Sequence, residues 1–429
     1  MQRVDLIKML SHPSKRKRLK GVSLLKKAEA DDSSLVPSKT GEDINLAIHT
    51  DYSFSPYSPS LAVYMAYKSG LSLAGISDHD TLSGAEEFKK AAEILNIEAS
   101  YGVQLRVKAN FGKEMQFNSI YENNVAFVSI KGVPFSCVKK LNKRLESVRR
   151  ARLARDREMT ERLNARIKKF GMSVDFVRDV LKNSRFLGGG TVTERHILFA
   201  FAKKICEKYS SAEEIKNFLK DGLKIGWDER FDLFLSDEKS PYFAYDLVDC
   251  IKNEIRFFYV PATDAIELKE AVALAKEFGG LVTYNYLGGT VRHIGGEEKV
   301  FPAEDNNAEE IISVLAAGGV DGIECVMPNI TDEKLSVIDE LAAKYDMFVL
   351  PCFDINSPRQ RFDAATSSFT KSEERREKYI RNLRAVAGHA KSCSCSLGDG
   401  LNGERAKKNN PSLEDRLALY AEIGKLDKR

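Results

Sequence analysis

No apolar run in the chain approaches the roughly 20 residues that a membrane-crossing helix requires. The N-terminus carries basic residues without the apolar stretch of a secretory leader. A cytoplasmic protein with no membrane partner is expected. Cysteine is sparse, seven in 429 residues, and only Cys393 and Cys395 are close neighbours. Their one-residue spacing is too tight for a zinc knuckle and no second pair accompanies it, so free thiols in a reducing compartment are expected. Net charge is small: 66 Lys and Arg against 62 Asp and Glu leave +4, which does not call for nucleic acid. No repeat of fixed period is present, which excludes a solenoid.

What the chain does have is core material. Its hydrophobic content of 43% suits one large domain with an insertion, or two to three modest ones. Residues 1–42 hold the basic run Ser14-Lys-Arg-Lys-Arg-Leu-Lys20 and then a polar stretch, which reads as a leading helix or a solvated arm. From Ile44 short apolar runs alternate with amphipathic stretches. Residues 62–70 have a helical period, Leu73 to Ile76 reads as strand, and Ala85 to Leu95 as helix. This order predicts an α/β protein with a parallel sheet or barrel. Residues 43–132, ending on the strand Val125 to Ile130, form the first part of it.

Residues 133–245 read as a helical insertion. They open on a long basic helix from Lys139 to Lys169, whose arginines 149, 150, 152, 155 and 157 suggest a solvated face. A triple glycine at 188–190 precedes Thr193-Glu-Arg-His196. The barrel pattern resumes over 246–370. Strands are predicted at Phe257 to Pro261, Leu281 to Tyr284, Gly322 to Met327 and Met347 to Pro351, with helices between them. Residues 371–429 form a charged C-terminal extension with a final helix near Leu413 to Leu426.

Two segments carry chemistry: Asn45-Leu-Ala-Ile-His-Thr50 and Gly75-Ile-Ser-Asp-His-Asp80. Each is an apolar run ending in His beside small polar residues, the way a parallel strand delivers a ligand to the carboxyl end of a sheet. These segments resemble the two opening motifs of the PHP (polymerase and histidinol phosphatase) superfamily. The resemblance runs in order from about residue 44 to 360 and is strongest to bacterial PHP phosphoesterases with a helical insertion. It implies a distorted TIM-like (β/α)7 barrel whose strand ends hold two or three divalent ions (Mn, Zn or Mg). Such ions, about 4 Å apart, neutralise a phosphate, generate hydroxide and stabilise the leaving oxygen.

Mapped residue by residue, the implied ligand set is depleted. The family's first motif, His-x-His with a later Asp, here has Ala47, His49 and Phe54. Asp78 and His79 match the Asp-His pair. The bridging Glu is replaced by Gln104, and the His of the next strand by Ala126. The Ala-His-Pro motif has Tyr286 at its ligand position, and the closing Asp-x-His reads Asp354 and Asn356. Only His49, His79 and Asp354 keep ligand identity, so a full multinuclear centre is not expected. A single ion held by His49, Asp354 and a carboxylate such as Asp51 is the most that this set suggests, with His79 as a further ligand or a proton-transfer group.

The layout implied by the family sets Arg195, His196, Arg292, His293 and Arg359 around the mouth, where guanidinium groups bind phosphate without metal. The segment Ser53 to Pro59 adds hydroxyls and Tyr57, which could stack on a ring, although Ser-Pro pairs are ordinary turn formers. Two readings follow. One is a phosphoesterase with a depleted site and at most weak, one-metal activity on a small phosphorylated or nucleotide substrate, with His79 and Asp354 catalytic. The other is a non-catalytic barrel that binds a phosphorylated ligand or a protein partner. His49 and Asp354 favour the first; Ala47, Gln104, Ala126, Tyr286 and Asn356 favour the second. Nucleic-acid binding through residues 15–20 is a weaker third reading. The sequence does not give the oligomeric state.

Overall fold

The computed structural model describes residues 3–37, 43–119, 122–227, 229–252, 254–288, 290–292, 298–300, 302–362, 370–394 and 400–425. Seven strands form its centre: β1 (Ile44–Ile48), β2 (Leu73–His79), β3 (Glu98–Lys108), β4 (Val125–Lys131), β5 (Leu281–Tyr286), β6 (Gly322–Met327) and β7 (Phe348–Phe353). They neighbour one another in that order. The ring closes between β7 and β1 through a parallel bridge, Ile48 to Ile355. There His49 N donates to Ile355 O at 2.9 Å and Ile355 N to Ala47 O at 3.0 Å. Below the bridge the Asn45 amide stands in for backbone pairing, donating to Phe353 O at 2.9 Å and accepting from Phe353 N at 3.2 Å. The result is a distorted TIM-like barrel.

The sheet is not all parallel, as strand–helix alternation led one to expect. β4 runs antiparallel to both β3 and β5, because only a polar loop separates it from β3 and no crossover helix reverses the chain. The amino end of β4 therefore lies at the mouth, beside the carboxyl ends of the other strands. The stretch 257–261, expected as a strand, is turn and irregular structure. Its Phe258 and Val260 are buried in the insertion's core instead. The eighth member of the sheet is a two-residue piece, Ile266–Glu267, beside the end of β3.

Helices α1 (Arg3–Met9) and α2 (Lys15–Ala28) precede the barrel, and α3 (Pro59–Lys68) and α4 (Ala85–Leu95) cover its first strands. α3 opens at Ser58, whose side chain accepts from Leu61 N, with Pro59 in the first turn. The basic run near the N-terminus is not a free arm. It lies in α2, which packs on α4, and Arg18 is 1% exposed.

The insertion has its own hydrophobic core, drawn from residues between Met159 and Val260. The expected long basic helix is two: α5 (Phe135–Arg144) and α6 (Glu146–Ile167). Its arginines do not all face solvent. Arg149, Arg152 and Arg155 are buried together with Val148, Asp156, Met159, Thr160 and Leu163, a stripe at three- and four-residue spacing whose Arg149 and Arg152 bind Asp80 at the barrel mouth and whose Met159 and Leu163 enter the insertion's core. α7 (Glu194–Lys208) and α8 (Phe243–Ile251) complete the roof. The triple glycine seats it: a Cβ on Gly190 would stand 2.6 Å from Tyr52 O, and Thr191 N donates to that oxygen at 2.8 Å.

After the insertion come α9 (Leu268–Phe278), α10 (Ala308–Ala317) and α11 (Asp332–Lys344), which alternate with strands. The charged segment beyond 371 contributes α12 (Glu373–Ser394), which packs on β1 and β7, and α13 (Leu413–Lys425) against it. Asn382 of α12 donates to Val349 O at 3.1 Å. Cysteines 137, 206, 250, 325 and 352 are free; Cys395 lies outside the described residues. No described helix is long and apolar enough to cross a membrane.

Candidate functional site

The inward positions of the barrel are mostly polar, and they alternate with apolar residues that face the helices. On β4 the inward residues are Lys131 and Ser129, with Phe127 above them at the mouth. Lys131 Nζ lies 3.0 Å from Glu324 Oε1 and donates to Leu46 O at 2.8 Å and Ser77 Oγ at 3.1 Å. Ser129 Oγ donates to Asn285 Oδ1 at 3.1 Å. A Cβ on Gly102 would stand 2.8 Å from Ile130 O, so only glycine lets β3 and β4 close at this level.

Above this polar floor lies a cavity of about 320 Å3, roofed by the insertion. His79, Gln104, Arg106, Phe127, Asn285, Asp354 and Asn356 line it from the barrel, and Arg152, Glu194, Arg195, Leu198, Ile255 and Phe258 from the roof. The volume suits a small molecule. A larger groove between α11, α12 and α13, about 1020 Å3, is a surface trough lined by residues of both charges, far from these side chains.

His49, His79 and Asp354 come together. His49 Nε2 stands 2.9 Å from Asp354 Oδ1, and the two imidazole rings are 4.8 Å apart. Burial works to raise the Asp354 pKa, but His49, Arg195 and Lys131 outweigh it and hold the carboxyl below its ordinary value. Burial, followed by the positive charge around it, pushes His79 well below the usual imidazole range, so this ring is neutral. Its Nδ1 is buried without a hydrogen-bond partner among the described residues.

The other positions divide. Gln104 lines the cavity opposite His79 in register. Asn356 donates to Asp354 Oδ2 at 2.8 Å and accepts from Arg195 Nη1 at 2.5 Å. Ala126 faces outward, and Phe127 occupies the inward position at the mouth. Tyr286 points away from the barrel interior, its hydroxyl donating to Asp305 at 2.5 Å. Ala47 is buried in the barrel core, and Phe54 packs among His196, Phe199 and Tyr245. Asp78 ties down the loop after β1, accepting from Thr50 N and Thr50 Oγ1 at 2.6 Å and from Ser53 Oγ at 2.7 Å. Asp51 pairs with Arg185 at 2.6 Å outside the cavity, and burial pushes its carboxyl up to about 6 against that pairing.

Of the anion-binding candidates, Arg195 reaches the cavity. His196 does not: its Nδ1 accepts from Thr193 N at 3.0 Å and caps α7. Arg359 pairs with Asp246 at 2.6 Å and clasps α8. Tyr57 packs edge-on against Phe362. The side chains of Arg292 and His293 lie outside the described residues.

Sequence reasoning missed the charged girdle between barrel and roof. Arg152 Nη1 lies 2.5 Å from Asp80 Oδ2, and Arg106 Nη1 lies 3.1 Å from Asp264 Oδ1. Asp80 reaches α6 because its backbone is left-handed, with φ 55°, a conformation that Asp tolerates better than most residues. Glu194 accepts from Arg106 at 2.5 Å, Arg155 at 2.8 Å and Arg152 at 3.2 Å. The three-residue spacing of Arg149, Arg152 and Arg155 was the available signal.

The donor set does not fit a two- or three-metal centre. Among the described residues no three His, Cys, Asp or Glu side chains converge as ligands would. Gln104 offers a neutral amide, the inward position on β4 at the mouth is phenyl, and Asn356 joins Asp354 to a guanidinium rather than to a metal ion.

No family model matches the chain, and no curated protein matches it. Among solved structures it is similar to a provisionally assigned metal-dependent phosphoesterase from Bifidobacterium adolescentis, at 20% identity over 73% of this chain and 89% of that one, with a TM-score of 0.47. It is also similar to an amidohydrolase from Chromobacterium violaceum with bound sulfate and no metal, at 17% identity over 74% and 88% of the two chains, again with a TM-score of 0.47.

Proposed function

We propose that the barrel mouth binds a small phosphorylated molecule, in a PHP-type barrel that has kept its fold and lost the multinuclear metal site. The observation that carries this reading is Arg195. Its guanidinium lines the cavity, hydrogen-bonds Asn356, and has no carboxylate within ion-pair distance among the described residues. It sits in the first turn of α7, where the helix end adds favourable potential for an anion. The Gln104 amide and the Phe127, Leu198, Ile255 and Phe258 side chains offer the rest of a small ligand a polar contact and an apolar bed. Hydrolysis of the ancestral kind has no support from the residues present, because His49 and Asp354 face each other and, among the described residues, no group of three His, Cys, Asp or Glu side chains is placed to hold a metal ion.

Calorimetric titration with phenyl phosphate tests the reading, beside elemental analysis of the purified protein and a turnover assay with added manganese. Binding that weakens at least about tenfold in Arg195→Ala is expected, with no metal-dependent turnover. Stoichiometric metal and turnover abolished by His49→Ala would replace it with a one-metal phosphoesterase.

A further inference from the structure

This inference rests on the phosphate-site reading above and concerns the charge of the ligand. Three guanidinium groups stand at or just behind the cavity wall besides Arg195, and each is matched. Glu194 Oε1 accepts from Arg106 and Arg155, and its Oε2 from Arg152. Arg106 also faces Asp264, and Arg152 faces Asp80. The three arginines are at most 5% exposed, whereas Glu194 is 20% exposed and lines the cavity. Asp354, a second carboxylate, lies on the same wall. Arg195 is thus the one cationic side chain in contact with both the barrel mouth and the cavity whose charge no carboxylate meets at ion-pair distance among the described residues.

A ligand with one negative charge pairs with Arg195. Lys252, which also lines the cavity, pairs with Asp249 at 2.7 Å, so among the described residues a second negative charge meets no unmatched cation and is repelled by Glu194 and Asp354 in a desolvated space. We propose that the cavity prefers a phosphodiester, singly charged at phosphorus, with an apolar or aromatic substituent, and that Glu194 weakens the binding of phosphomonoester dianions.

Methyl phenyl phosphate and phenyl phosphate share the ring and differ in charge at pH 8, since a monoester's second ionisation lies near 6. Calorimetric titration of the intact protein should show the diester binding at least about tenfold tighter. Glu194→Gln should narrow that ratio about tenfold by tightening the monoester. Equal binding of the two in the wild type, or tighter monoester binding, overturns the charge rule, even where Arg195→Ala abolishes both and upholds the phosphate site. An unchanged ratio in folded Glu194→Gln overturns the role of Glu194. Absence of binding by either ester, or binding that Arg195→Ala leaves intact, removes the phosphate site and this inference with it. Should the Glu194 variant fail to fold, the wild-type ratio still decides the charge rule.

Discussion

Lys131 on β4 and Glu324 on β6 meet across the barrel at 3.0 Å, with both side chains 2% exposed. Lys131 also binds Leu46 O and Ser77 Oγ, so one ammonium joins three strands beneath the cavity. Removing it strands a buried carboxylate. Lys131→Met should cost about 3–5 kcal/mol of stability, and adding Glu324→Leu should recover most of the loss. Urea unfolding of the two variants checks this; a Lys131→Met protein within about 1 kcal/mol of wild type would contradict it.

The N-terminal helices are held by a second buried pair. Arg18 Nε and Nη2 donate to the two carboxylate oxygens of Glu87 at 2.7 and 2.5 Å, and Ser60 Oγ donates to Glu87 Oε1 at 2.6 Å. Arg18→Ala should destabilise by about 3 kcal/mol or more. Arg18→Lys should rescue little of it, because a point ammonium cannot reproduce the two-pronged contact. Full rescue by lysine, read from thermal unfolding, would show that charge alone matters.

Glu304 gives the fold a pH dependence of unusual sign. It is 3% exposed, and burial pushes its carboxyl up to about 7, although Tyr284, Gly288 and Leu287 all donate to it. A folded-state pKa above the ordinary 4.5 means that the folded chain binds this proton more tightly. The contribution is full below about pH 4.5 and is lost as pH rises through about 7. The stability of wild type relative to Glu304→Gln should fall between pH 5 and 8 by roughly 3 kcal/mol at most. A flat difference across that range would disprove the assignment.

Asp354 is held below the ordinary carboxylate pKa, so its contribution has the opposite sign: full above about pH 4 and lost as the medium becomes more acidic. At pH 8 it is an anion on the wall of the proposed phosphate site. Asp354→Asn should strengthen phenyl phosphate binding about three- to tenfold by calorimetry. Weaker binding in the variant would mean that Asp354 grips the ligand or holds a cation for it.

Short apolar runs ending in His49 and His79 were legible as strand ends because strand periodicity and burial are written locally. So were the alternation of strands with helices and the neutral amides that stand at Gln104 and Asn356. The direction of β4 depended on whether a crossover helix intervenes, which its own residues do not encode. The arginines of α6 read as a solvated face because a sequence shows charge without its counter-charge. Asp80, Glu194 and Asp264 lie 42 to 112 positions from Arg152, and only folding brings them within reach. The same limit hid which cations remain available to a ligand. The sequence by itself determined the strand pattern of the barrel and which donor side chains stand at its strand ends, since residue identity decides both. Only the tertiary structure decided that His196 caps a helix, that Arg359 clasps the insertion and that Arg195 alone of the three faces the cavity, because a side chain's partners depend on which distant segments pack beside it.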